Sequence, residues 1–369
     1  MLPGSSHRHK KNDRRNISAM EFLPVLDPTD KPREGIWYSL IPRGGGPGVG
    51  VGHTCSYIPS GDKSRGEIVI VGGANPSGSF TQTYVINLDN YEWDIPEWDG
   101  LEARYEHCSF VPESCPQSLW VFGGAQQSGN LNCIQTLPFK DGGSRWRNVL
   151  VGGKPPCPRT YHTNSACIGD NLYVFSGGEA GASPVSDPVL HVFDTVSCSW
   201  SQPETQGKQP PARHGHIIIA LGSEIYIHGG MAGDKFYSDM YTLDTGKMKW
   251  EKVQTKGDTP PGVAAHSAVA LGKNIYVFGG MTSDGASNSM HRFHTEKRQW
   301  SLMTFQGDMP PNRLDHSMCL LPWKVFTEDE VGQARDSAVV AETLHLAFIF
   351  GGMDTDGVLH SDCVATMIT

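Results

Sequence analysis

Long apolar runs are missing from this 369-residue chain. No stretch approaches the 18 or more residues that a membrane helix requires, and the first 30 residues lack the apolar core of a secretory signal. Paired cysteine spacing is missing as well. The nine cysteines (Cys55, Cys108, Cys115, Cys133, Cys157, Cys167, Cys198, Cys319 and Cys363) are an odd number with no Cys-x-x-Cys. That argues against a disulfide framework or a structural zinc site, and for a reducing compartment. No phosphate loop, Gly-x-Ser-x-Gly elbow or His-Glu-x-x-His occurs, so the common catalytic signatures are absent. Basic charge is scarce outside one place. Residues 1–19 hold Arg8, Lys10, Lys11, Arg14 and Arg15 against Asp13; with a net charge of −9 overall, the rest of the chain carries −13. An acidic body argues against nucleic-acid binding, which needs clustered Lys and Arg. The basic tail reads as a solvated terminus, with a nuclear or membrane-surface signal as the alternative.

What the chain has in quantity is glycine (43 residues), and much of it is ordered. Six pairs recur: Gly72-Gly73, Gly123-Gly124, Gly177-Gly178, Gly229-Gly230, Gly279-Gly280 and Gly351-Gly352, at intervals of 51, 54, 52, 50 and 72 residues. A period near fifty signals repeated sheets. Residues 266–302 show one unit. His266 to Leu271 is followed by a Gly272-Lys-Asn274 turn, Ile275 to Phe278, the glycine pair, a polar loop, Ser289 to Phe293, and Gln299 to Leu302. These are four strand-length runs, enough for one antiparallel blade. The second run of each unit is apolar throughout, which implies cover on both faces. The glycine pair lets the backbone leave that strand through positive φ. Trp93, Trp146, Trp200, Trp250 and Trp300 follow the first five pairs by 20 to 23 residues and read as inter-blade core.

The sixth unit has no tryptophan after its glycine pair, but Trp37 stands in a strand-like run near the other end. The expected fold is therefore an all-β, six-bladed propeller over residues 35–369, its last blade closed by the N-terminal strand. Residues 1–34 are expected to form a flexible basic extension. The long last interval places an inserted acidic loop at 324–343.

A second motif precedes the blades. Arg104, Arg159, Arg213 and Arg313 each stand three residues before His107, His162, His216 and His316, whereas Gly50 and Val263 precede His53 and His266. Two readings are open: a ring of guanidinium groups at the channel mouth, suited to an acidic partner, or a structural tie from the entering loop to neighbouring carbonyls. Repeat histidines on six blades are expected to diverge around the axis, which disfavours a metal centre.

Together the glycine pairs, the tryptophan spacing and the Arg-x-x-His series resemble the kelch family. Leu23-Pro-Val-Leu26, Trp37-Tyr38, Val71-Gly-Gly-Ala-Asn-Pro76, Arg104-Tyr-Glu-His107, Trp200-Ser-Gln-Pro-Glu204, Arg313-Leu-Asp-His-Ser-Met-Cys319 and Pro322-Trp323 are similar to kelch-built effectors of a late-endosomal Rab GTPase. Residues 1–19 and the insert after Trp323 depart from that pattern. The resemblance implies a non-enzymatic, cofactor-free effector that binds the GTP-bound Rab and promotes return of mannose-phosphate receptors to the trans-Golgi network. It implies a cytoplasmic protein, peripheral on endosome or trans-Golgi membranes. A substrate-recognition subunit of a ubiquitin ligase is the alternative, although about 35 residues before the propeller are too few for a BTB or F-box domain. Asp187-x-x-x-His191 resembles part of the iron site of plant specifier proteins, but Ser183 replaces the preceding glutamate.

Overall fold

Each blade forms because an apolar second strand, turned back at both ends by glycine or polar residues, can be buried only by neighbours on both faces. In the computed structural model, residues 23–61, 63–139, 144–162, 166–179, 183–326 and 340–369 are described. Among them there is no helix, and six antiparallel sheets of four principal strands make a six-bladed β-propeller. Blade 5 is representative: Ser267–Leu271, Asn274–Phe278, Met290–His294 and Gln299–Leu302 pair in order from the channel outward.

Blade 6 is assembled from both ends of the chain. Trp37–Leu40 pairs antiparallel with Cys363–Ile368, Trp37 opposite Thr366 and Leu40 opposite Cys363. Trp37 is fully buried, its ring 5.0 Å from Phe278 of blade 5 and 5.4 Å from Phe305. The same construction recurs around the ring. Trp200 stacks 5.1 Å from Phe122, Trp250 5.0 Å from Phe175, and Trp300 4.9 Å from His228. Each indole thus meets a ring at the end of the previous blade's second strand, burying apolar area between neighbouring sheets. Trp146 instead donates its indole N–H to Thr83 of blade 1 at 3.1 Å. Trp93 keeps the inter-blade role while only half-buried, its ring 6.0 Å from Phe350 of blade 6.

Two expectations about the chain's margins change. Residues 23–34 of the supposed flexible extension are held down. Leu23 and Leu26 are buried, Leu26 N–H donates to Ser39 O of the closing strand while Pro24 O accepts from Ser39 N–H, and the Asp30 carbonyl accepts the Trp323 indole N–H at 2.9 Å. Apolar anchors at positions 23 and 26 explain this. Residues 1–22, with the basic run, lie outside the described residues. The insert, in turn, is framed by strands rather than loop. Ser317–Phe326 and Val340–Phe350 form an extended hairpin, Lys324 opposite Thr343, and only 327–339 fall outside the described residues. The hairpin leans on blade 1, where Lys324 Nζ donates to Ser64 O at 2.5 Å and the Arg65 guanidinium lies 4.4 Å from the Phe326 ring centre.

Candidate functional site

The channel mouth that carries the glycine pairs is built from the Arg-x-x-His loops. Arg104, Arg159, Arg213 and Arg313 are fully buried, so they do not present a guanidinium ring to a partner. Each is a bracket between the incoming loop and its own blade. Nε donates to the carbonyl two residues back, at 3.0 to 3.3 Å. Nη1 donates to the carbonyl at the end of the second strand: Gly123, Ser176, Gly229 and Gly351, at 2.9 to 3.0 Å. The charge is met within the blade. Arg313 forms a bidentate pair with Asp362 at 2.9 and 2.8 Å, Arg213 meets Asp239 at 2.7 Å, and Arg159 meets Asp187 at 2.9 Å. Arg104 uses Gln135 Oε1 at 2.8 Å instead. Blades 1 and 5, which lack the arginine, have Gln82 and Ser289 where a carboxylate would stand. In blades 3, 4 and 6 the arginine comes with a carboxylate and in blades 1 and 5 both are missing, as an internal pair requires, because an unpaired buried charge is strongly destabilising; blade 2 is the exception, with Gln135 as the close partner and the Glu102 carboxylate 3.9 Å away. Asp187 also accepts from His191 Nε2 at 2.6 Å, so the Asp-x-x-x-His pattern belongs to this pair. Among the described residues no group of three or more His, Cys, Asp or Glu could hold a metal ion.

The histidines interlock adjacent blades. His107 Nε2 meets Thr54 Oγ1 at 2.9 Å, His316 Nε2 meets Ser267 Oγ at 2.6 Å, and His53 Nδ1 meets Ser317 Oγ at 2.9 Å. Burial holds these rings in the neutral form. His53 and His216 are pushed down to about 3, and His107, His266 and His316 well below the usual imidazole value, with Arg104, Arg213 and Arg313 adding repulsion at three of them.

Blade 3 breaks the series. In the other five blades both glycines of the pair have positive φ, near 65° and 95°. In blade 3 it is Ser176 (φ 59°) and Gly177 (φ 118°) that do so, while Gly178 does not. The structural pair is therefore Ser176-Gly177, one residue earlier than Gly177-Gly178. Ser176 Oγ accepts from Arg213 N–H at 2.8 Å and donates to Arg213 O at 2.7 Å, bonds no glycine could make. The histidine slips too. Tyr161 occupies its place, edge-on to Phe122 at 6.4 Å and to His216 at 5.8 Å. His162 is displaced into the channel, where Nε2 donates to His53 O of blade 1 at 2.7 Å. The expectation that the repeat histidines all diverge fails at this one position.

The displaced histidine borders a cavity of about 400 Å³. Its rim is a chain of backbone bonds: Ala265 N–H to Gly215 O, Asp315 N–H to Ala265 O, Gly52 N–H to Asp315 O, Glu106 N–H to Gly52 O, and Tyr161 N–H to Glu106 O, at 2.7 to 3.0 Å. Among the described residues no bond joins Gly215 N–H to blade 3, so the chain of bonds is open where His162 enters. The rim residues take positive φ: Gly52 (68°), Gly215 (64°), Ala265 (56°), Glu106 (50°) and Asp315 (51°). Left-handed backbone costs a non-glycine residue on the order of 1–2 kcal/mol. Glycine serves in two blades, yet carboxylates stand in two others. Burial and the neighbouring Asp315 charge push Glu106 up to about 7, against the pull of His162, and burial pushes Asp315 up to about 6. Sequence reading missed both acids, although alignment on the Arg-x-x-His spacing puts Glu106 and Asp315 level with Gly52 and Gly215.

These features define a kelch-repeat propeller, and the chain belongs to the kelch-repeat family. The profile described as the KLHDC2/KLHL20/DRC7 Kelch-repeats domain matches residues 52–280, and the Kelch motif matches residues 263–304. The chain is 66% identical to the Rab9 effector protein with kelch motifs of Danio rerio over 359 residues, covering 95% of this chain and 100% of that protein. It is 59% identical to the protein of that name from Xenopus laevis and 58% identical to the one from Bos taurus, at the same coverage of both chains.

Proposed function

We propose that this protein is a non-enzymatic Rab effector that binds the GTP-bound form of a late-endosomal Rab GTPase. Through that contact it promotes return of mannose-phosphate receptors from late endosomes to the trans-Golgi network. It works from the cytoplasm, peripherally on endosome or trans-Golgi membranes; no described helix is long and apolar enough to cross one. The observation that carries the reading is the identity of 66% and 59%, over 95% of this chain, with relatives named Rab9 effector protein with kelch motifs. A closed ring with rigid blades and loops of unequal length supports recognition of a protein surface. The test is capture of a Rab panel by the purified full-length chain, each Rab loaded with a GTP analogue or with GDP. Selective retention of the GTP-loaded late-endosomal member is expected. Equal retention in both nucleotide states would sink the effector reading.

A further inference from the structure

The cavity at the channel mouth has features that neither the fold nor the proposed effector role requires. Glu106 and Asp315 both line it. Neither has an ion-pair partner among the described residues, for every buried arginine nearby is matched within its own blade. Asp315 is half-buried and lines the cavity, and no hydrogen bond to its carboxylate is found among the described residues. Two further wall residues, His216 and His266, are buried; their Nδ1 atoms have no partner among the described residues, as is also true of His107 and His316 elsewhere in the repeat. Two carboxylates without an ion-pair partner on the wall of one cavity are suited to a ligand of opposite charge. The remaining wall is apolar, formed by Met231, Phe236, Met281 and Leu314.

A carboxylate pair at one end and methionine and phenylalanine along the side suit an alkyl chain ending in a cation. A metal ion fits poorly, since no three ligating groups converge among the described residues. The space also continues outward. A cleft of about 510 Å³ shares Glu106, Thr160 and His214 with the cavity and adds Gln126, Gln127 and Asn130, whose amides can pair with a peptide backbone.

We propose that the channel-mouth cavity is a receptor for one basic side chain, lysine or arginine, presented by a partner polypeptide. The stem lies along Met231 and Met281, the cation reaches Asp315 and Glu106, and the flanking backbone lies in the outer cleft. The proposal does not depend on the partner being a Rab protein.

The test titrates the full chain, by ligand-observed and methionine-methyl NMR, with acetylated and amidated Gly-Lys-Gly, Gly-Arg-Gly and Gly-norleucine-Gly. At least one basic peptide is expected to bind ten or more times tighter than the norleucine peptide, and to shift the Met231 and Met281 methyl signals. Asp315→Asn, which keeps a residue tolerant of left-handed backbone, and Glu106→Gln are each expected to weaken binding at least fivefold. Equal binding of the norleucine peptide overturns the proposal. So do unmoved Met231 and Met281 methyls in the unmodified protein, an outcome readable even if a variant fails to fold. Butylammonium binding as tightly as the basic peptides would make this a small-amine site and overturn the polypeptide occupant.

Discussion

Blades 3 and 4 are neighbours with the same strand plan, yet they solve the turn at the channel mouth differently. Blade 4 follows the rule: Gly229 and Gly230 at positive φ, His216 against its neighbour, Gly215 on the rim. Blade 3 moves one residue along, with Ser176 in the first left-handed position, Tyr161 in the histidine's place and His162 in the channel. Both keep the arginine bracket with almost the same distances, 2.9 Å from Nη1 to the strand-end carbonyl. The bracket and the packed tryptophan are thus what these two blades hold in common. The residues facing the channel can slip, and the slip is what gives the cavity its shape.

The largest expected effect tests the shared part. Arg213→Ala in blade 4 and Arg159→Ala in blade 3 each remove a fully buried side chain and leave a half-buried carboxylate and two carbonyls without their donor, so each should lose about 2–3 kcal/mol in denaturant unfolding. Adding Asp239→Ala or Asp187→Ala to the respective arginine variant should restore part of the loss. A loss confined to one blade would separate what the structure joins.

A smaller effect comes from exchanging the turn residues. At Gly229 a Cβ would meet Val263 O at 2.6 Å and His266 Cε1 at 2.7 Å, so Gly229→Ser should destabilise by about 2 kcal/mol or more. Ser176→Gly relaxes the backbone but loses both bonds to Arg213, for a net loss of about 1 kcal/mol. Equal tolerance of glycine and serine at both positions, read from melting temperatures, would show that the slip has no energetic basis.

The smallest separable effect is in acid. In the unfolded chain each histidine takes up a proton near 6.5, whereas folded His53 and His216 do so only near 3 and three others stay well below 6.5. These five therefore stabilise the fold above pH 6.5, and that contribution is lost as pH falls toward 3. Glu106 and Asp315 act oppositely. Raised to about 7 and 6, they hold protons that the unfolded chain releases near 4.5 and 3.8, so their contribution is lost as pH rises through 6–7. Five groups outweigh two, and the melting temperature should fall by about 5 °C or more between pH 7.5 and pH 5.0. His162 of blade 3 acts in the same direction, since burial lowers it as well. A flat calorimetric profile would remove the histidine interlock as a source of stability.

The repeat was legible because its signals are local: an apolar run, a glycine pair, a tryptophan about twenty residues on. The closing strand was legible for the same reason, since Trp37 without a blade matched a blade without a tryptophan. The slip had a signal too. Four glycine pairs follow an apolar residue directly and one follows His228, whereas in blade 3 Ser176 intervenes after Phe175. What the sequence concealed was direction. An arginine repeated at one mouth looks the same whether it faces solvent or its own blade, and only the matching loss of arginine and carboxylate in blades 1 and 5 tells them apart. Glu106 and Asp315 were hidden because they belong together only across the ring, on either side of blade 1.

The seam at blade 6 also sets an order of events. Ile36 O accepts from Thr366 Oγ1 across 330 residues of chain. On the ribosome, Trp37–Leu40 is made early, with its strand partner still unsynthesised, so its apolar face must wait while five blades form. A latch that cannot engage until Cys363–Ile368 has been made keeps the ring open until all six blades are present. It also makes the early strand the place where a chaperone would be needed longest.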